Sequence, residues 1–216
     1  MIDYTNLNPN AIFNDIEKLC NDAKRYGFGA VCVAPYYIRK ATKMVNGTDI
    51  KVCSTVGFPF GYDSTETKVF ETKKAIEDGA LEIDMVMNRC AFKNKEYDVV
   101  REDIESVVKA AKGRITKVII ETCDLNRYGI EKACKIVEES GAHFVKTSTG
   151  FGKGGAKVED VKLIKEVVGP NIGIKASGGV RTFEYAIELI KAGATRIGTS
   201  AGVKIIEGYK ESFFRS

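Results

Sequence analysis

Two lysines stand where lysine is seldom found. Lys146 lies inside the apolar run Phe144-Val-Lys-Thr-Ser148, and Lys175 inside Ile172-Gly-Ile-Lys-Ala-Ser177. Each run leads into glycine, Gly150 in the first case and Gly178-Gly179 in the second. Lysine is among the residues least often buried unless it is paired or functional. A desolvated lysine loses basicity, and its amine becomes a usable nucleophile at neutral pH. A third apolar run, Leu81-Glu-Ile-Asp-Met-Val-Met87, carries Asp84. Two ammonium groups in one pocket repel, which lowers at least one pKa, and a carboxylate between them can hold one charged and shuttle protons. That combination suits a Schiff base, in which one lysine attacks a carbonyl and the iminium becomes an electron sink. A buried ion pair would explain any one of these residues about as well. Three together, with glycine-rich loops after both lysines, favour function.

The elements around them must bring these residues together. Ile12, Phe13, Ile16, Leu19, Cys20 and Ala23 share one face of a helix over Asn10–Tyr26, ended by Gly27 and Gly29. Ala30–Ala34 and Lys51–Val56 are strands, with a short helix over Tyr36–Val45 between them. Ser64 is an N-cap for a helix over Thr65–Asp78. Further strands at Leu81–Met87, Thr116–Glu121, Phe144–Ser148, Ile172–Ala176 and Thr195–Gly198 alternate with helices at Tyr97–Lys112, Asn126–Glu139, Val158–Val168, Thr182–Ala192 and Ala201–Tyr209. With a weak first strand at Ile2–Thr5, the chain has about eight strand–helix units, which predicts an α/β fold: a single TIM (β/α)8 barrel of parallel strands with outer helices, one domain over residues 1–216. A doubly wound open sheet would show a glycine fingerprint after its first strand, and Val33-Ala-Pro-Tyr36 is nothing of the kind.

In such a barrel, strand residues alternate between lumen and helix layer. Leu81, Ile83, Met85 and Met87 suit the helix layer, so Glu82, Asp84 and Val86 face the lumen. The same parity turns Gly173, Lys175 and Ser177 inward, and Phe144, Lys146 and Ser148 with them. His143 then points to the helices as a structural residue. Lys146, Lys175 and Asp84 therefore share one cavity near the C-terminal ends of the strands, where active sites of this fold sit. Glycine-rich loops after the last strands, including Ser177-Gly-Gly-Val-Arg181 and Gly198-Thr-Ser-Ala-Gly202, could cradle a phosphate. Glu121 is a possible polar lumen residue, and Cys32 is better read as a packed thiol than a reactive one.

The composition excludes several classes. Hydrophobic residues make up 44% and charged residues 29% of the 216, and the net charge of +4 is dispersed. No like-charge run suggests a nucleic-acid arm or membrane patch. The six cysteines include no C-x-x-C pair and there is one histidine, so no zinc or haem pattern is present. Buried thiols, no signal-peptide pattern and no spanning apolar run lead to the expectation of a cytoplasmic protein.

The segments Phe144-Val-Lys-Thr-Ser-Thr-Gly-Phe151, Gly173-Ile-Lys-Ala-Ser-Gly-Gly-Val-Arg-Thr182 and Glu82-Ile-Asp-Met-Val-Met-Asn88 resemble the signature segments of the deoxyribose-phosphate aldolase family. Val52-Cys-Ser-Thr-Val-Gly-Phe-Pro59, Val118-Ile-Ile-Glu-Thr-Cys123 and Arg196-Ile-Gly-Thr-Ser200 match in the same order, so the resemblance covers nearly the whole chain. It implies a class I, metal-free aldolase that reversibly cleaves 2-deoxy-D-ribose 5-phosphate to D-glyceraldehyde 3-phosphate and acetaldehyde. By motif match, Lys146 would be the Schiff-base lysine, Lys175 the second lysine and Asp84 the proton relay. Asp3 would lie near the second lysine, and Gly178, Gly179, Gly198 and Ser200 would hold the phosphate. The expected partners are a small phosphorylated sugar and further copies of the chain in a dimer or tetramer. Tyr4, where many relatives carry histidine, Asn6 and Ala201 depart from the pattern, and the tail offers Tyr209, Phe213 and Phe214 near the end. From the residues alone, another lysine aldolase of this fold, a phosphate-binding isomerase, or a ligand binder whose lysines only hold anions also fits.

Overall fold

Fully buried parallel strands need apolar residues toward the helices and compatible residues toward the axis, and this chain supplies both. The computed structural model describes residues 1–214, with side chains to residue 210. The strands β1 (Ile2–Asn6), β2 (Ala30–Val33), β3 (Lys51–Val56), β4 (Glu82–Val86), β5 (Ile115–Ile119), β6 (Phe144–Lys146), β7 (Gly173–Ser177) and β8 (Arg196–Thr199) form a closed barrel in chain order. The last strand pairs back on the first, in parallel, through Ile2↔Ile197 and Asp3↔Gly198. The surrounding helices are α1 (Phe13–Tyr26), α2 (Ile38–Val45), α3 (Thr65–Glu77), α4 (Arg89–Lys93), α5 (Tyr97–Ala110), α6 (Arg127–Glu139), α7 (Val158–Val167), α8 (Phe183–Lys191) and α9 (Gly202–Phe214). The TIM-barrel expectation is met.

Alternation divides the strand residues in two. Val31, Val52, Ile83, Met85, Val118, Val145, Ile174 and Ile197 join the helices in one apolar core. Asp3, Cys32, Cys53, Glu82, Asp84, Lys117, Lys146 and Lys175 are buried as well, but they meet one another inside the barrel. Local signals set several ends. The Ser64 hydroxyl accepts from the Thr67 N–H at 3.3 Å, and the Thr182 hydroxyl accepts from the Tyr185 N–H at 3.3 Å, capping α3 and α8.

The differences have physical causes. Helix α1 begins at Phe13 rather than Asn10, because Asn8 accepts from the Asn10 N–H through its side chain and from the Ala11 N–H through its backbone. Such asparagine turns compete with helix. Pro35–Tyr37 forms a 3-10 turn before α2. Strand β6 stops at Lys146, and Thr147 turns its hydroxyl to the backbone of Ser177. Leu81, expected in the helix layer, precedes β4 and is exposed. Helix α4, capped by Asn88, has no counterpart in the sequence pattern; five residues are too few to show a period. His143 accepts from the Thr116 N–H at 3.1 Å, a structural contact. Tyr209 packs on Phe183, while the Phe213 and Phe214 side chains lie outside the described residues. Among the described residues no helix is long and apolar enough to cross a membrane.

Candidate active site

Register brings the charged residues together. Asp84 on β4 is the lateral neighbour of Lys117 on β5, and Lys146 on β6 is the neighbour of Lys175 on β7. All four side chains converge on the barrel axis. Asp84 Oδ2 accepts from Lys146 Nζ and from Lys175 Nζ, each at 2.7 Å. Its Oδ1 accepts from Lys117 Nζ at 2.8 Å and from Cys53 Sγ at 3.1 Å. A carboxylate has about four lone-pair sites, and these donors use them all.

A lower ring of charges holds this cluster. Asp3 on β1 pairs with Lys175 at 2.6 Å, and Glu82 pairs with Lys117 at 2.6 Å. Arg196 on β8 reaches Asp3 through Nε at 2.7 Å and Glu82 through Nη2 at 2.9 Å. Among the described residues, four cations therefore meet three carboxylates in a largely buried interior. Burial alone would raise the Asp84 pKa, but Lys117, Lys146 and Lys175 outweigh it and hold the carboxyl well below its usual range. Asp3 is likewise lowered: burial opposes ionisation, and Lys175, Lys117 and Arg196 overcome it.

The expected mutual repulsion of two lysines does not control Lys175. Burial pushes its pKa down, but Asp3 and Asp84 push it up further, and the ammonium is stabilised. Lys117 is raised well above its ordinary value in the same way, with Asp84 as the largest opposing influence to burial. Geometry separates the three amines instead. Lys117 lies within ion-pair range of three carboxylates, Lys175 of two and Lys146 of one. Of the three, Lys146 is also the one that opens on a cavity of about 480 Å³ at the C-terminal ends of the strands.

The sequence-predicted residues fall into two tiers. Lys146, Gly178, Gly179, Gly198 and Ser200 line the cavity, together with Tyr4, Asn6 and Arg181. Asp84, Lys175 and Asp3 lie beneath it, completely buried. Gly178 and Gly179 have φ of 86° and 75°, left-handed values that favour glycine. Gly198 also makes room for a lysine. A Cβ there would stand 2.9 Å from Lys175 Cε, so its bareness lets that side chain cross β8 toward Asp3.

Cys32, Cys53 and Asp84 place two sulfurs and a carboxylate oxygen within 4.8 Å of one another. They make a poor cation site, because the Asp84 oxygens are already engaged by three ammonium groups and a thiol.

Residues 1–208 match the family described as DeoC/LacD family aldolase. The chain is 57% identical over 210 residues to a deoxyribose-phosphate aldolase of Clostridium tetani, covering 97% of each chain. It is 57% identical over 211 residues to one of Thermococcus kodakarensis, covering 96% of this chain and 94% of that relative. It also superposes, with a TM-score of 0.91 and 33% identity, on the tetrameric deoxyribose phosphate aldolase from Aeropyrum pernix, covering 98% and 90% of the two chains. The chain belongs to the DeoC/LacD aldolase family. It is a lyase on a TIM barrel.

Several residues of the aldolase's charged centre escape a search for lysines followed by glycine. Lys117 is the main one: Ile115-Thr-Lys-Val-Ile119 alternates, and its parity turns Lys117 inward with Ile119. Arg196 opens β8 and looks like a surface residue until its partners on β1 and β4 are known. Glu82 shares the inward face of Asp84, and that parity alone could have identified it. Cys32, read as a core thiol, lies completely buried. Glu121 is also fully buried, but it stands just beyond β5 rather than in the strand.

Proposed function

We propose that this aldolase reversibly cleaves 2-deoxy-D-ribose 5-phosphate to D-glyceraldehyde 3-phosphate and acetaldehyde. The observation that carries the reading is the Asp84 Oδ2 bridge between Lys146 and Lys175, 2.7 Å to each, directly below a cavity rimmed by Gly178, Gly179, Gly198 and Ser200.

Lys146 Nζ attacks C1 of the open-chain aldehyde, and loss of water gives an iminium. Removing a proton from Lys146 breaks one ion pair, the smallest such loss among the three lysines. The Asp84–Lys175 pair, through a water, takes the proton of the C3 hydroxyl. The C2–C3 electrons move into the iminium, C3 becomes the aldehyde of glyceraldehyde 3-phosphate, and an enamine of acetaldehyde remains. Protonation at C2 and addition of water release acetaldehyde and restore the amine. Lys175, held cationic by Asp3 and Asp84, returns the proton. The phosphate sits against the backbone N–H groups of the two glycine turns, and its binding orients the reacting end. The lysine amine supplies the covalent chemistry, so the proposed cycle needs no metal or cofactor.

The Aeropyrum relative's tetramer supports a homo-oligomer, dimer or tetramer. The buried thiols Cys20, Cys32, Cys53 and Cys134 suit a reducing, cytoplasmic setting. Borohydride reduction with acetaldehyde tests the chemistry. The expected result is a two-carbon adduct on the peptide carrying Lys146; no adduct on any lysine would sink the proposal.

A further inference from the structure

Glu121 is a buried carboxylate that the proposed cycle does not use. It is completely buried, and its backbone takes the left-handed φ of 53°, unusual for a side chain other than glycine. Strain of that kind persists only where the surroundings fix it, and it gathers at functional sites. Glu121 follows β5, and the residues on either side of it stay paired with Lys146 and Thr147: the Ile120 N–H donates to Lys146 O, and the Thr122 N–H to Thr147 O.

Its carboxylate faces one short loop. Oε2 accepts from the Thr149 hydroxyl at 2.6 Å, and Oε1 accepts from the Thr149 N–H at 3.3 Å. The Thr149 hydroxyl in turn accepts from the Phe151 N–H at 3.0 Å. Gly152 leaves room for the carboxyl: a Cβ there would come within 3.1 Å of it. Arg89 stands behind, 3.8 Å from Oε2, and is itself paired with Asp124. Thr149, Gly150 and Phe151 form the cavity wall beside Lys146, and Phe151 meets Phe58 edge-to-face at 5.4 Å.

The geometry points to Glu121 as a positioning residue for the aldol cleavage: by fixing Thr149 it sets the 149–151 wall against the carbon chain of the sugar phosphate bound at Lys146. This rests on the aldolase reading above. A two-carbon aldehyde joined to Lys146 does not span the cavity to the phosphate turns, so it depends on the wall less than the full substrate does.

The test compares Glu121→Ala, Glu121→Gln and the wild type in two assays: cleavage of 2-deoxyribose 5-phosphate, and borohydride trapping of acetaldehyde on Lys146. Glu121→Ala is expected to lower kcat by about 10–100-fold, the range for a misplaced reacting group. Its trapping rate stays close to wild type. Glu121→Gln keeps an acceptor for the Thr149 hydroxyl and retains most of the activity. Thr149→Val, which removes that hydroxyl, reproduces the kcat loss, and it carries the test if Glu121→Ala does not fold. Unchanged kcat in Glu121→Ala or Thr149→Val, an equal loss of trapping, or a Gln variant as poor as Ala would overturn the inference. Failure of the wild type to trap acetaldehyde at all would instead strike the aldolase reading.

Discussion

Replacing Asp84 by asparagine removes the one group that touches all three lysines. The shape is kept and the charge is lost. An asparagine has one carbonyl oxygen and an NH2 that can only donate. Whichever way it turns, donors meet the ammonium groups that Oδ1 and Oδ2 now receive at 2.7–2.8 Å. The interior is left with Lys117, Lys146, Lys175 and Arg196 against Asp3 and Glu82. Removing one partner of a buried ion pair costs about 3–5 kcal/mol. At roughly 2–4 °C per kcal/mol for a chain of this size, the melting temperature at pH 7 should fall by about 6–20 °C. The loss should shrink toward alkaline pH, because Asp84 helps raise Lys175 and Lys117, and without it these amines shed protons more easily. Proton transfer through the site is lost as well, so kcat for cleavage should drop by about 10²–10⁴-fold. Calorimetry across pH and a coupled assay of glyceraldehyde 3-phosphate read both effects. A variant that melts within about 2 °C of wild type at pH 7 and still turns over would show that Asp84 is not the hub of the cluster.

Lys146→Ala should abolish cleavage and the borohydride adduct while circular dichroism stays native; an adduct that moves to Lys175 would refute the assignment of the nucleophile. Lys117→Met should cost about 3–5 kcal/mol in urea unfolding, since it strips Glu82 and Asp84 of a buried partner, and the acid limb of the kcat profile should shift to higher pH as Asp84 loses a cation. The contribution of Asp84, Asp3, Lys175 and Lys117 to stability should be flat between about pH 4 and 10. Asp84 and Asp3 are depressed in the fold, so their stabilisation is present above the ordinary carboxylate pKa and is lost as pH falls through the folded values. Lys175 and Lys117 are raised, so theirs is complete below the ordinary lysine pKa and is lost as pH rises through the folded values; an acid midpoint near neutrality would contradict both signs. Gly155→Ala would place a Cβ 2.2 Å from Gly178 O, so KM for the phosphorylated substrate should rise by about tenfold or more, a loss of ~1.4 kcal/mol in binding, while acetaldehyde trapping persists.

Much of the fold and part of the site could be read from residue order. Strands buried on both faces leave a two-residue period that survives without any tertiary knowledge, and it turned Asp84, Lys146 and Lys175 inward correctly. The helix end at Ser64 was legible because a hydroxyl cap acts on its own turn. The start of α1 was not, because the Asn8 turn competes locally with the helix the apolar pattern announces. Lys117 was hidden for another reason. Thr116, Val118 and the isoleucines around it are all β-branched, so the strand looks like any buried one. Only its alignment beside Asp84 reveals what it serves.

The two catalytic-looking lysines show best what a linear reading lacks. Both precede glycines and both face inward, so parity treats them alike. What divides them lies on other strands. Gly198, the neighbour of Asp3 on β1, leaves a gap that Lys175 enters on its way to that carboxylate. Lys146 meets no such gap and ends its strand at the cavity. One buried amine is thereby fixed as a cation between two carboxylates, and the other, tied to a single shared oxygen, faces the substrate space. A glycine read from sequence as part of a phosphate turn thus also separates the surroundings of two lysines, through a clearance that exists only once the barrel has closed.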